Sequence, residues 1–93
     1  METSGSFGTT RKRRKRLHLY LINDNYNTMD HVIDSIQHVL PLCNVLTAEQ
    51  IAVTSHAAGE AEMYSGFGND VYIKYAQLQK LGLTVDIKLL NSI

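Results

Sequence analysis

Three polar residues, Asn23, Asp24 and Asn25, stand in a row directly after an apolar stretch of this 93-residue chain. Asn and Asp favour turns because their side chains bond nearby backbone groups, so a loop alone accounts for some of them. Their oxygens are also the acceptors that a cation with several N–H donors needs, such as a primary ammonium. We therefore interpret this loop as a candidate recognition site, joined by His56 at the end of a predicted helix.

Catalytic chemistry has less support in the sequence. Cys43, the only cysteine, follows Pro41 in an apolar connection, where packing is its expected role. Ser55 and His56 are adjacent on a predicted helix and point roughly 100° apart, so they do not face each other. No Gly-x-Ser-x-Gly, phosphate-loop or dinucleotide motif is present. We therefore do not expect an enzyme.

The four histidines do not predict a metal site either. They fall in three different predicted elements, and the two that share a helix, His31 and His38, are seven residues apart. That spacing is about 10.5 Å along a helix, which is too far for one ion. We expect neither a metal nor a cofactor.

The formal net charge of zero hides two oppositely charged regions. Six of the nine basic residues are consecutive, at 11–16, whereas three basic and eight acidic residues follow from Leu17, a net charge of −5. We predict a disordered basic extension over 1–16 and one domain over 17–93. The sequence has no apolar run of signal-peptide or membrane-span length, and one cysteine cannot form an internal disulfide. A cytoplasmic protein without a membrane partner is the expectation.

Hydrophobic periodicity predicts six elements in the order β-α-α-β-α-β. Alternation predicts strands over 17–22, 60–64 and 83–89, the second broken by Gly66 and Gly68. Helical spacing predicts helices over 29–40, from Thr47 to His56, and over 69–81. The fold class is therefore α+β, with a three-stranded antiparallel sheet and three helices packed on one face.

Capping residues mark the helix ends. Asn27 or Thr28 is expected to cap the first helix, which Pro41 ends. Thr47 to Gln50 has the capping-box form, and Asn69 is the predicted cap of the third helix. Gly59 and Gly82 are the expected left-handed stops.

At these residues the sequence resembles a known family. The stretch from Leu19 to Asp34, Leu-Tyr-Leu-Ile-Asn-Asp-Asn-Tyr-Asn-Thr-Met-Asp-His-Val-Ile-Asp, closely resembles ClpS, the adaptors that select N-degron substrates for the Clp protease. A helix ending in His56-Ala57-Ala58-Gly59 matches a second family landmark. Lys74-Tyr75-Ala76 and the segment from Leu81 to Ile87 match a third, and the resemblance spans about residues 18–90.

The resemblance implies a ClpS-like fold and an adaptor function. Family members hold the free α-amino group of a substrate's first residue, and the matching positions here are Asn23, Asp24, Asn25 and His56. They take its side chain (Leu, Phe, Tyr or Trp) into a pocket, for which the matching positions are Asn27, Met29, Val32, Ala52, Ser55 and Val85.

The second half of the implied function is delivery. ClpS-like proteins dock on the N-terminal domain of a Clp AAA+ unfoldase, of the ClpA or ClpC type, and their leader engages it. Lys74 matches a docking position, and residues 1–16 match the leader.

A ribosome-associated or nucleic-acid-binding α/β domain is the alternative, because clustered Arg and Lys at 11–16 neutralise phosphates. No aromatic residues interleave that run for base stacking, and the following domain is acidic, so nucleic acid is not the expected partner. A steep loss of affinity with salt would identify phosphate contacts.

Three positions depart from the family pattern. Asn25 stands where an acidic residue is usual, so one negative charge is missing from the loop. Ala52 and Ser55 stand where Met and Val are common on the pocket side of the second helix. Less bulk there predicts a roomier pocket with a more polar edge.

A roomier pocket is expected to relax the discrimination against larger or β-branched first residues. A peptide starting with Ile should bind less than roughly tenfold more weakly than its Leu counterpart. Tenfold is about the smallest discrimination that an apolar pocket shows for a difference of one carbon. Titration with peptides starting with Phe, Leu, Ile and Trp checks this. Continued exclusion of the Ile peptide would refute it.

Overall fold

A computed structural model describes residues 15–89. The predicted order β-α-α-β-α-β is confirmed, with these elements: β1 Arg16–Ile22, α1 Met29–Val39, α2 Val45–Ala58, β2 Glu60–Phe67, α3 Asn69–Lys80 and β3 Val85–Leu89. The predicted basic extension lies outside the described residues except for Lys15 and Arg16. Arg16 already belongs to β1, one residue inside the predicted extension.

The three strands form one antiparallel sheet in the order β2-β1-β3. The central strand β1 pairs with both neighbours, so that Leu21 lies opposite Ala61 on one side and Val85 on the other. The predicted α+β class and three-stranded antiparallel sheet are thus confirmed.

The core lies between one face of this sheet and the helices. Leu19 and Leu21 are buried, whereas the alternate residues His18 and Tyr20 are only half-buried, as the period of a strand requires. Leu19 is fully buried, and a side chain of this size contributes roughly 1.5–3 kcal/mol of burial free energy. The helices add their own buried apolar residues to the same cluster: Ile36, Val39, Ala48, Ile51, Val71 and Leu78.

The helix ends next to the polar loop lie where capping chemistry predicts. Thr28 caps α1, since its Oγ1 accepts a hydrogen bond from the His31 backbone N–H at 3.1 Å. Helix α2 ends at Gly59, whose φ of 94° is left-handed. This glycine is required there because a residue with a Cβ is strained in that conformation. The start of α1 and the end of α2 are therefore both fixed next to the polar loop.

The predicted start of α2 and the predicted cap of α3 were wrong. Helix α2 begins at Val45 because Asn44 caps it, accepting the Thr47 backbone N–H on Oδ1 at 2.8 Å. Thr47 is therefore in the first turn and is not the cap. Helix α3 includes Asn69, and its cap position is Gly68, with no side-chain hydrogen bond.

The two outer strands also differ from their predicted bounds. Strand β2 continues to Phe67, because Gly66 stays in the ladder opposite Leu17 instead of ending it. An extra residue in β2 shifts its register against β1, and consecutive Met63 and Tyr64 both pack on the core. Strand β3 begins at Val85, two residues later than predicted.

Candidate binding site

The polar loop between β1 and α1 borders a cavity of about 270 Å³. The end of β1, the start of α1, the last turns of α2 and the segment before β3 all contribute to it. Its lining residues are Leu21, Ile22, Asn23, Asp24, Asn25, Asn27, Met29, Val32, Ala52, Ser55, His56 and Leu83.

Burial divides these residues into two groups. Leu21, Ala52, Ser55 and Leu83 are buried and form the floor of the cavity. The exposed members form its rim, and they are Asn23, Asn25, Met29 and His56. A mostly apolar floor below a mostly polar rim suits a ligand with one charged end and one apolar end.

Asp24 organises the loop. Its Oδ1 accepts the backbone N–H groups of Tyr26 and Asn27 at 2.9 and 3.0 Å. Its Oδ2 accepts the Asn27 side-chain amide at 2.8 Å and the Thr84 hydroxyl at 2.7 Å. A carboxylate has about four acceptor positions, so all of them are in use. Asp24 therefore offers a ligand its negative charge, while its direct contacts are made within the protein.

The same contacts keep Asp24 ionised. Partial burial raises the pKa of its carboxyl, but the hydrogen bonds from Thr84, Asn27 and Tyr26 together outweigh burial. The pKa of Asp24 consequently lies below its ordinary value of 3.8. The negative charge beside the rim is fixed across the neutral range.

Asn27 joins this loop to the segment before β3. Its amide nitrogen donates to Asp24 and, at 3.0 Å, to the Gly82 carbonyl. Both partners are acceptors, so the amide orientation is determined by its surroundings. Within residues 15–89 no donor bonds Asn27 Oδ1. Asn27, which was predicted to line the pocket, therefore also positions the Asp24 carboxylate.

A backbone bond holds the loop against the end of α2. The Asn23 N–H donates to the Gly59 carbonyl at 2.9 Å, and the Gly59 N–H donates to the Ser55 carbonyl at 2.8 Å. These two bonds hold the end of α2, which carries His56, against the backbone of Asn23 at the cavity rim. In the described part of the chain, the side chains of Asn23, Asn25 and His56 make no hydrogen bond, so they are available to a ligand.

The structure brings together nine of the ten residues predicted for the amino-group site and the pocket. Val85 is the correction, because it is buried in the sheet opposite Leu21 and does not line the cavity. Leu83 lines it instead, since the chain turns before β3 and the Leu83 N–H bonds the Leu78 carbonyl at 3.1 Å. The signal was present, because Leu83 belongs to the same alternating series as Val85.

Lys74, the predicted docking residue, lies away from this cavity. Its ammonium is 2.8 Å from Asp70 Oδ1 and 4.9 Å from the centre of the Tyr64 ring. The Tyr64 hydroxyl donates to the other Asp70 oxygen. The hydrogen bond to Asp70 raises the pKa of Lys74 above its ordinary value despite partial burial. Lys74 is therefore a positioned cation on a separate surface.

Neighbours of Lys74 extend this surface with apolar groups. A second cavity of about 430 Å³ is lined by Leu40, Pro41, Leu42, Cys43, Thr47, Met63, Tyr64 and Lys74. Burial raises the pKa of the Cys43 thiol, and Cys43 packs on the core. This environment suits a packing residue more than a nucleophile.

Within residues 15–89, no group of three or more His, Cys, Asp or Glu side chains is arranged to hold a metal ion. None of the helices in this range is long and apolar enough to cross a membrane.

The chain is thus a small α+β domain with a preformed cavity beside the polar loop. The family model described as "ATP-dependent Clp protease adaptor protein ClpS" matches residues 12–86. The chain therefore belongs to the ClpS family of Clp protease adaptors. The fold is similar to that of Agrobacterium tumefaciens ClpS2 in its structure bound to L-phenylalaninamide, with a TM-score of 0.79 and 20% identity over 84% of this chain and 100% of that chain. No curated protein sequence matches the chain.

The hydrogen bonds to Asp24 predict a pH-dependent stability. Asp24→Asn should lower the free energy of unfolding by roughly 1–3 kcal/mol at neutral pH, since an amide nitrogen cannot accept the donors that face it. Because the folded pKa of Asp24 is lowered, the wild-type advantage is full above 3.8 and is lost as pH falls through the lowered value. Urea unfolding at a series of pH values measures both effects.

Asp34→Asn is the matched control, because Asp34 is exposed on α1 and its side chain has no hydrogen bond within residues 15–89. It should change stability by less than about 0.5 kcal/mol. Equal pH profiles for wild type and Asp24→Asn would contradict the role assigned to Asp24.

Proposed function

We propose that this chain is an adaptor that binds the first residue of substrate proteins beginning with Leu, Phe, Tyr or Trp and delivers them to a Clp AAA+ unfoldase. It has no catalytic step of its own in this role. The observation that carries the proposal is one cavity in which polar side chains without a partner in residues 15–89 surround a buried, mostly apolar floor. A chain terminus has the matching features, an ammonium and a side chain two bonds away.

The rim supplies the ammonium contacts. A primary ammonium has three N–H donors, and Asn23, Asn25 and His56 offer side-chain acceptors that are not used within the described residues. The ionised Asp24 adds attraction without a direct contact. Asn25 contributes an amide oxygen instead of a charge, so affinity for the ammonium depends mainly on the single carboxylate.

The floor supplies the side-chain contacts. Burying a Leu- or Phe-sized group there contributes roughly 1.5–3 kcal/mol. Specificity for a chain terminus comes from the rim, because a ligand without the ammonium would leave polar groups desolvated and unpaired. The ligand in the printed title of the Agrobacterium ClpS2 structure, L-phenylalaninamide, likewise combines a free amino group with an aromatic side chain.

Acetylation of the peptide terminus tests the amino-group contact. A fluorescent peptide starting with Phe should bind the full chain, and its acetylated form should bind at least roughly tenfold more weakly, since unpaired buried polar groups cost about 1–3 kcal/mol. His56→Ala should weaken only the free-amine peptide by a similar factor. Fluorescence polarisation measures all four affinities.

His38→Ala is the control for that substitution, because His38 is another exposed histidine at the end of a helix and does not line the cavity. It should leave both affinities unchanged. Equal binding of the free and acetylated peptides by wild type would contradict the proposed function.

Delivery is assigned to two parts of the chain outside the cavity. The cation of Lys74, held by Asp70, fits docking on the N-terminal domain of a ClpA-like or ClpC-like unfoldase. The basic residues before β1 fit the leader that engages the unfoldase. The cytoplasmic location predicted from the sequence stays a prediction.

Deleting residues 2–14 should separate binding from delivery. The deletion leaves Arg16 and the rest of β1 in place, so peptide affinity should stay within about twofold, an effect below 0.5 kcal/mol. Unfoldase-dependent degradation of a Phe-initiated reporter should be lost. Lys74→Ala should reduce degradation as well, with Lys80→Ala on the same helix as its control. Loss of peptide affinity in the deletion variant would contradict this division.

A further inference from the structure

The floor of the cavity carries one polar side chain. Of its four buried lining residues, Leu21, Ala52 and Leu83 are apolar, and Ser55 has a hydroxyl. Ser55 is 2% exposed, so it is almost entirely buried. Its hydroxyl is therefore the one side-chain polar group among the buried lining residues.

The hydrogen-bonding state of Ser55 leaves an acceptor free. Its hydroxyl donates to the Leu21 carbonyl at 3.3 Å, which directs its hydrogen toward β1. No donor within residues 15–89 bonds Ser55 Oγ, so its lone pairs have no protein partner there. A buried acceptor in this state favours a ligand that brings an O–H or N–H group.

The positions of rim and floor fix which end of a ligand meets Ser55. In the proposed function, on which this inference rests, the ammonium lies at the rim beside Asn23 and His56. The far end of the first side chain then reaches the floor. For Tyr that end is a hydroxyl and for Trp the ring bears an N–H, whereas Phe offers only carbon.

We infer that Ser55 is a specificity-determining residue, which favours first residues whose side chains bear a hydrogen-bond donor, Tyr and Trp, over Phe. An entirely apolar floor would have the opposite preference, because it would leave the Tyr hydroxyl buried and unpaired. A site that hydrogen-bonds a ligand hydroxyl can discriminate against the analogue that lacks it, whereas an apolar site discriminates poorly. The hydroxyl of Ser55 therefore makes the affinity for a first Tyr higher than the affinity for a first Phe.

Tyr and Phe peptides that are identical from the second residue onward test the inference with full-length protein. Fluorescence polarisation gives their affinities for wild type and Ser55→Ala, and the ratio of the two peptides in each protein isolates the hydroxyl. Ser55→Ala should lower the Tyr-to-Phe affinity ratio by roughly threefold to tenfold, the range of one net hydrogen bond. A change in packing at the floor affects both peptides and cancels in their ratio, because Phe and Tyr differ only in the hydroxyl.

Ser35→Ala is the matched control. Ser35 is likewise a buried helical serine, but it does not line the cavity, so its loss should leave the ratio unchanged. Retained Phe binding shows that each variant is folded.

Acetylated forms of both peptides distinguish the two possible failures. If binding depends on the free amine but the Tyr-to-Phe ratio is the same in wild type and Ser55→Ala, the role of Ser55 is overturned and the proposed function stands. If neither peptide depends on its free amine, the proposed function fails and the inference falls with it.

Discussion

The carboxylate of Asp24 joins the loop after β1 to the segment before β3. Its four hydrogen bonds come from the turn after β1, from the Asn27 amide, and from Thr84 just before β3. Sixty residues separate Asp24 from Thr84 along the chain. The loop that forms the cavity rim is thus tied to the sheet by a charged group, whose hydrogen bonds are stronger than those between neutral groups.

This arrangement separates the residues that position the site from those left for a ligand. The Asp24 carboxylate and the Asn27 amide nitrogen bond to the protein, and the bond from Asn23 to Gly59 fixes the rim to the end of α2. These contacts fix the backbone of the rim and leave the side chains of Asn23, Asn25 and His56 without a hydrogen bond in residues 15–89. A rim prepared in this way loses little conformational entropy when a ligand binds, which favours affinity in a domain with a small cavity.

Periodicity and capping chemistry predicted the order of elements, the sheet and the ends of the loop, because these depend on residues close together in sequence. The features that were mispredicted depend on competition between nearby capping residues or on contacts with residues that are distant in sequence. Asn44 displaced Thr47 as the cap of α2, and pairing with β1 kept Gly66 inside β2. The role of Asp24 could not be read from its own loop, since Thr84 completes it. Leu83 and Val85 share one alternating pattern, and only the turn before β3 decides which of them reaches the cavity.

The cavity and the Lys74 surface have no lining residue in common. Helix α2 contributes to both, with Thr47 in its first turn at the Lys74 surface and Ser55 and His56 in its last turns at the cavity. The two surfaces that the proposed function assigns to ligand binding and to docking therefore lie at opposite ends of one helix. Changes in the last turns, such as Ala52 and Ser55, alter the floor without touching the Lys74 surface. In the proposed function, this separation means that the pocket floor can change without a change in the surface assigned to docking.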